Sequence, residues 1–154
     1  MFDDIYWMQQ ALELADYAAT QGEVPIGAIV VLNNEIIGKG WNQSISTNDP
    51  TAHAEIVALR NAAKTLNNYR LPHTELYVTL EPCSMCAGAL VHARVKRLVF
   101  AALEPKAGVA FSQQEFFEQG FLNHRVLVEG GVLAELSKEK LQHFFHLRRE
   151  KNRH

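Results

Sequence analysis

Cysteine is nearly absent from the 154 residues, with Cys83 and Cys86 the only two. A single pair so close together cannot build the disulfide framework of a small secreted scaffold, which excludes that class. Long apolar runs are missing too: none approaches about 18 residues, the length a membrane-crossing helix needs. The opening "MFDDIYWMQQ" is acidic where a secretory leader would be basic. A cytoplasmic chain with reduced thiols and no membrane partner is therefore expected. No internal repeat, low-complexity tract or linker interrupts the sequence, so residues 1–154 are expected to form one domain. Basic residues are scarce at the start, where positions 1–55 hold only Lys39 against eight acids.

What is present is ordinary globular composition, 47% apolar and 21% charged, with a net charge of -2. That small net value hides a difference in sign between the two parts of the chain. Positions 56–154 hold fourteen bases against nine acids, and the chain closes on "HLRREKNRH" with Arg148, Arg149, Lys151 and Arg153. Arg94, Lys96, Arg97 and Lys106 form a second basic group. The tail taken alone reads first as a solvated helix end, with cations set against the helix dipole, and its rival reading is a phosphate-binding surface.

Periodicity gives the elements. Ile5, Met8, Leu12, Ala15 and Ala19 recur at helical spacing in residues 3–22, with Asp3 or Asp4 as cap and Gly22 as stop. "PIGAIVVL" and "EIIGKGW" flank Asn33-Asn34, a pair that tolerates left-handed dihedrals, and so predict a β-hairpin. "TAHAEIVALRNAAKTL" reads as a helix entered through Asp49-Pro50-Thr51. "ELYVTL" is a short strand that ends at Glu81-Pro82, and "PCSMCAGALVHA" is a helix opened by that proline. "RLVFAA" is the next strand, and Ser112 to Glu115 matches a capping box for a short helix. "RVLVEGG" is a last strand, followed by a helix through Leu133, Leu136, Leu141, Phe144 and Phe145. The order implies an α/β fold: a three-layer α/β/α sandwich around a mixed five-stranded sheet, its helix-linked later strands parallel.

A C-x-x-C pair serves as a redox couple, as half of a metal site, or as two small apolar side chains in a core. His53 and Glu55 bear on the choice. The helical spacing places His53 and Glu55 in the first turn of one helix, and Cys83 and Cys86 in the first turn of another. One imidazole and two thiolates leave one corner of a zinc tetrahedron open, the mark of a catalytic site. Two residues apart on a helix, Glu55 stands about 200° around the axis from His53, poorly phased to be a fourth ligand. It reaches a bound water only if the helix points end-on at the metal. Zinc lowers the pKa of its water to about 7 and a neighbouring carboxylate relays the proton, so hydrolysis is the implied reaction class.

"HAE" and "EPCSMC" match the H-x-E and P-C-x-x-C signature of zinc nucleobase deaminases. Beyond that signature, "EVPIGAIVV", "GKGWN", "DPTAHAEIVALR", "NYRL", "LYVTLEPCSMCAGALVHARV" and "NHRV" resemble, in order and over nearly the whole chain, the bacterial tRNA-specific adenosine deaminases. The resemblance implies a cytidine deaminase-like fold, a homodimer, and conversion of adenosine to inosine at the wobble position of a tRNA anticodon stem-loop. It implies one zinc per chain on His53, Cys83 and Cys86, with zinc-bound hydroxide as nucleophile and Glu55 as proton shuttle. It assigns Asn42 to the target nucleoside, Val24, Ile45 and Leu80 to the base pocket, and Phe145 and Arg149 to the RNA, with backbone N–H groups near Ala54 and Cys83 facing the site. The chain departs from the family pattern at "EPKAGVAFS", where Glu104 replaces an aspartate and Phe111 a glycine. Two other functions use the same site: deamination of a free guanine, cytosine or nucleoside, and a non-catalytic, zinc-stabilised RNA-binding module.

Overall fold

The computed structural model describes residues 1–152; Arg153, at the end of the basic tail, lies outside them. The elements follow as α1 (Asp4–Thr20), β1 (Gly27–Leu32), β2 (Glu35–Trp41), α2 (Ala54–Leu66), β3 (Glu75–Leu80), α3 (Ser84–Ala93), β4 (Arg97–Ala102), a 3-10 turn (Phe116–Glu118), β5 (Leu127–Gly130) and α4 (Ala134–Asn152). The five strands lie in the order β2-β1-β3-β4-β5. β1 runs antiparallel to β2 and β3, whereas β3, β4 and β5 are mutually parallel. The hairpin turns on Asn33 and Asn34, at φ 51° and 63°, the left-handed pair that matches strand twist.

Alternation along the strands divides the core between the two faces of the sheet. Ala28, Val30, Leu76, Val78, Leu98 and Phe100 pack against α2 and α3. Ile29, Val31, Tyr77, Val99 and Ala101 point the other way, onto α1 and the segment entering α4. This is the three-layer arrangement expected from the element order. The α1 stripe is shifted from the expected one: Trp7, Met8, Ala11, Leu12, Ala15 and Ala18 are buried, while Ile5 is exposed. Small residues dominate because the helix lies almost on the strand, and a Cβ on Gly27 would stand 2.1 Å from the Ala11 carbonyl oxygen. Asp3 is the cap, its carboxylate accepting the Tyr6 N–H at 2.9 Å.

Two further expectations are corrected. Ser112 to Glu115 forms no capping box: the 3-10 turn starts at Phe116 without a side-chain cap, and Ser112 gives its N–H and hydroxyl to Glu81 instead. Arg97 is no part of a free basic surface. Its guanidinium pairs with Asp4 at 2.7 Å, Glu75 at 2.6 Å and Glu129, tying α1, β3 and β5 to the start of β4. That guanidinium holds the Asp4 carboxyl below the usual range, and burial beside Asp4 pushes the Tyr77 phenol up.

α2 descends antiparallel to β2, and two glycines set the spacing. A Cβ on Gly38 would stand 2.4 Å from the Ala58 carbonyl oxygen, and one on Gly40 2.3 Å from that of Ala54. The α2 N-terminus is therefore fixed at the end of β2, which lies beside the start of β1 and the end of β3. Gly40→Ala should force β2 and α2 apart and cost about 3 kcal/mol. Thermal unfolding checks this: a fall in Tm of roughly 6–12 °C is expected for a chain of this size, and an unchanged Tm would contradict the close approach.

Candidate active site

The helices that carry the motif begin two or three residues later than the sequence predicts. His53 is the N-cap of α2 and Cys83 the N-cap of α3, both with extended backbone, at φ -71°, ψ 155° and φ -79°, ψ 175°. Neither stands in a first turn, so the 200° phase between His53 and Glu55 does not apply. An extended cap turns its side chain across the end of the helix, where the second residue of the helix, here Glu55, also reaches. The end-on geometry that Glu55 requires is thus a consequence of where the helices start.

The donor atoms meet there. His53 Nδ1 lies 3.6 Å from Cys83 Sγ and 3.6 Å from Cys86 Sγ, and the three donor atoms fall within 4.8 Å of one another. A tetrahedral zinc, with Zn–S about 2.3 Å and Zn–N about 2.0–2.1 Å, has an N···S edge of about 3.6 Å. The three groups therefore fit a small tetrahedral cation with one corner left open.

Electrostatics matches the geometry. The Cys86 thiol and the imidazole hold the Cys83 thiol down to about 4, and Cys83 in turn raises His53. Hydrogen bonding to Cys83 together with burial pushes the Cys86 thiol up, and a neighbouring cation favours its thiolate. Glu55 is buried, and desolvation pushes its carboxyl up to about 7 against the pull of its own backbone N–H and His53.

Asn42 directly follows β2 and caps α2 from outside: its Oδ1 accepts the Ala54 N–H at 2.9 Å. The Ala54 N–H is thereby engaged, and the side-chain NH2 of Asn42 is the group left to face a ligand. Val24 and Leu80 are half-buried, and Ile45 is 56% exposed on the loop between β2 and α2. Phe145 and Arg149 stand elsewhere, lining with Leu103, Glu104, Lys106 and Lys138 a groove of about 560 Å³ between α4 and the loop after β4. Of the expected apolar face of α4, Leu136 and Phe145 are exposed, and the helix is pinned by Ser137, whose buried hydroxyl donates to the Thr79 carbonyl.

Two carboxylates at this end of the sheet escaped the sequence reading. Glu23, 2% exposed, accepts the N–H groups of Ile45 and Ser46 at 3.2 and 2.7 Å and so holds the loop before α2. Glu81, 3% exposed, accepts the N–H groups of Glu104, Phe111 and Ser112 at 3.0, 2.8 and 2.9 Å, and the Ser112 hydroxyl. Burial works against its charge, but these donors win and hold it below the usual carboxylate range. The signal was an acid within each of the apolar stretches "GEVPIG" and "TLEPC". The departures from the family pattern fall in the loop Glu81 holds: Glu104 accepts the Lys106 N–H at 2.9 Å, and Phe111 lies 5.5 Å from the ring of Phe100.

Residues 1–102 match the family described as the cytidine and deoxycytidylate deaminase zinc-binding region. The tRNA-specific adenosine deaminase of Haemophilus influenzae is 55% identical over 147 residues, covering 95% of this chain and 85% of that one. The enzyme of the same name from Bacillus subtilis is 40% identical, covering 99% and 95%. Among solved structures, one from a study of A-to-I editing by tRNA deaminases at the wobble position of transfer RNA superposes with a TM-score of 0.86 at 43% identity, covering 88% of this chain and 99% of that one. A guanine deaminase from Nitrosomonas europaea superposes at 0.81 with 25% identity, covering 94% and 85%. A shared zinc-binding region and near full-length identity to enzymes of one name lead to a single assignment: the chain belongs to the tRNA-specific adenosine deaminases of the cytidine and deoxycytidylate deaminase family.

Proposed function

We propose that this chain, acting as a single domain over residues 1–154, hydrolyses adenosine to inosine at the wobble position of a tRNA anticodon in the cytoplasm. The observation that carries the reading is the meeting of His53 Nδ1 with two cysteine sulfurs beside the buried carboxyl of Glu55. His53, Cys83 and Cys86 hold one zinc per chain. When bound, zinc polarises a water and brings its pKa to about 7. Glu55, itself raised to about 7, takes a proton from the water as oxygen adds to the ring carbon bearing the amine. It returns that proton to the adjacent ring nitrogen, then takes the second proton from the added hydroxyl and passes it to the leaving amino nitrogen. The C–N bond breaks, ammonia departs, and the water oxygen remains as the carbonyl of inosine.

Asn42 is oriented by its bond to the Ala54 N–H and presents its amide NH2 to the nucleoside. Val24, Ile45 and Leu80 border the base. The groove of Phe145, Arg149, Lys106 and Lys138 suits RNA, offering a ring for stacking and cations for phosphate. The chain acts as a homodimer; a further groove of about 480 Å³, between the 3-10 turn and β5, has the exposed Phe111 and Leu127 on its walls and supports a protein contact there.

Purified protein incubated with an anticodon stem-loop bearing a wobble adenosine should yield inosine by mass spectrometry, and its absence at full zinc occupancy would reject the reading. Glu55→Gln should keep the fold and one zinc per chain while turnover drops by roughly 10²–10⁴. Undiminished deamination would remove Glu55 from the chemistry.

Replacing Arg148, Arg149 and Lys151 with alanine separates the tRNA reading from deamination of a free base. For an RNA enzyme, stem-loop affinity should fall and the slope of log affinity against log salt should shrink by about 2, at about 0.7 per lost phosphate contact. A free-base enzyme would show neither change.

A further inference from the structure

We propose that Glu81 is a positioning residue that fixes the loop of residues 104–112, and through it the spacing between the RNA groove and the metal-binding cysteines. The inference rests on the deaminase reading and adds a residue to it.

Glu81 stands between β3 and Cys83. Its backbone N–H donates to the Ala102 carbonyl at 2.8 Å, and the next residue, Pro82, gives its carbonyl to the Val109 N–H at 3.0 Å. The side chain faces the same loop. Oε1 takes the Glu104 N–H and the Ser112 hydroxyl, and Oε2 takes the Phe111 and Ser112 N–H groups. Four donors occupy both oxygens of a side chain 3% exposed. A carboxylate so used has no lone pair aimed at a cation or a substrate, which separates it from Glu55, and its work is to gather the loop.

The loop closes around that carboxylate. A Cβ on Gly108 would stand 2.4 Å from the Glu81 carboxyl carbon and 2.6 Å from the Glu104 carbonyl oxygen, so only glycine lets the chain pass there. Its first residues, Glu104, Pro105 and Lys106, form the wall of the groove opposite Phe145 and Arg149. Glu81 thus links two places: the cysteine two residues further along the chain on one side, and the wall of the proposed RNA groove on the other. Releasing the loop should loosen the grip on RNA while leaving the donor cluster and Glu55 in place.

The test compares Glu81→Leu, Glu81→Gln and Gly108→Ala in the zinc-loaded protein. In Glu81→Leu, KM for the stem-loop should rise about tenfold, with kcat within about threefold and zinc still one per chain. The glutamine variant should be milder. Its single oxygen still serves Phe111 and Ser112, while its NH2 faces the Glu104 N–H, so amide exchange should quicken at Glu104 alone. Gly108→Ala, which crowds the carboxylate from the loop side and leaves the sequence before Cys83 unchanged, should give the same rise in KM. The double variant Glu81→Leu/Gly108→Ala should be no worse than either single change.

Unchanged KM in both Glu81→Leu and Gly108→Ala would overturn the proposal. So would loss of zinc in proportion to activity, since Glu81 would then serve only the metal site. If the wild type makes no inosine, the deaminase reading fails by itself. The stem-loop Kd of each variant, measured by titration, then replaces KM, and an unchanged Kd overturns the role of Glu81 independently.

Discussion

Two helices end at one point, and the chemistry of this protein depends on their doing so. α3 starts there because it follows β3 directly. α2 starts there because Gly38 and Gly40 let it lie against β2 at backbone contact. With His53 and Cys83 as the two N-caps, their side chains cross the ends of the helices instead of lying along the sides. The positive ends of both helix dipoles favour thiolate and carboxylate at the same place. A shift of one residue in either helix start would turn a donor away from the cluster. The β2–α2 contact therefore belongs to the site as much as to the core.

Glu55 and Glu81 show how the same side chain acquires opposite properties at similar burial. Both are at most 4% exposed. Glu81 is surrounded by four donors, which hold it ionised and inert. Glu55 has little beyond its own backbone N–H to offset desolvation, and its carboxyl rises to about 7, where gaining and losing a proton cost little near neutral pH. Supply of donors, more than burial, separates the scaffold acid from the shuttle acid. Glu23 shares the geometry of Glu81 in that both its oxygens accept N–H groups of a loop, the one before α2.

Most of the fold was legible because its signals are local. Strand alternation, the Asn33-Asn34 turn, the Asp3 cap, the His53–Glu55 spacing and the Cys83–Cys86 spacing each span only a few residues, and the two motifs, 30 positions apart, were joined by the deaminase signature they share. What escaped depends on distant partners. Nothing within "TLEPC" says that Glu81 meets Glu104 and Ser112, and Ser112 looked like a cap because its actual acceptor lies 31 positions away. Arg97 looked like one cation of a basic patch because Asp4, Glu75 and Glu129 come from three other elements. The helix starts were misplaced for a related reason: a proline at position 82 suits a first turn, yet α3 starts at Ser84 with Cys83 extended as its cap.

The exposed face of α4 completes the argument. A helix of 19 residues whose one buried residue is Ser137 gains little from the core. It is held at its start by the Ser137–Thr79 bond and by Lys140 on Asp16, which leaves Phe145, Leu147 and Arg149 facing out. Arg148 covers the ring of Phe144 at 5.4 Å, so part of the cationic tail already rests on an aromatic surface. Apolar rings on a lightly packed helix are costly to leave in water, and together with the guanidinium groups beside them they match bases and phosphates. Under the proposed function, RNA binding supplies the burial that the isolated fold withholds from α4, and the loop gathered by Glu81 forms the opposing wall of the same groove.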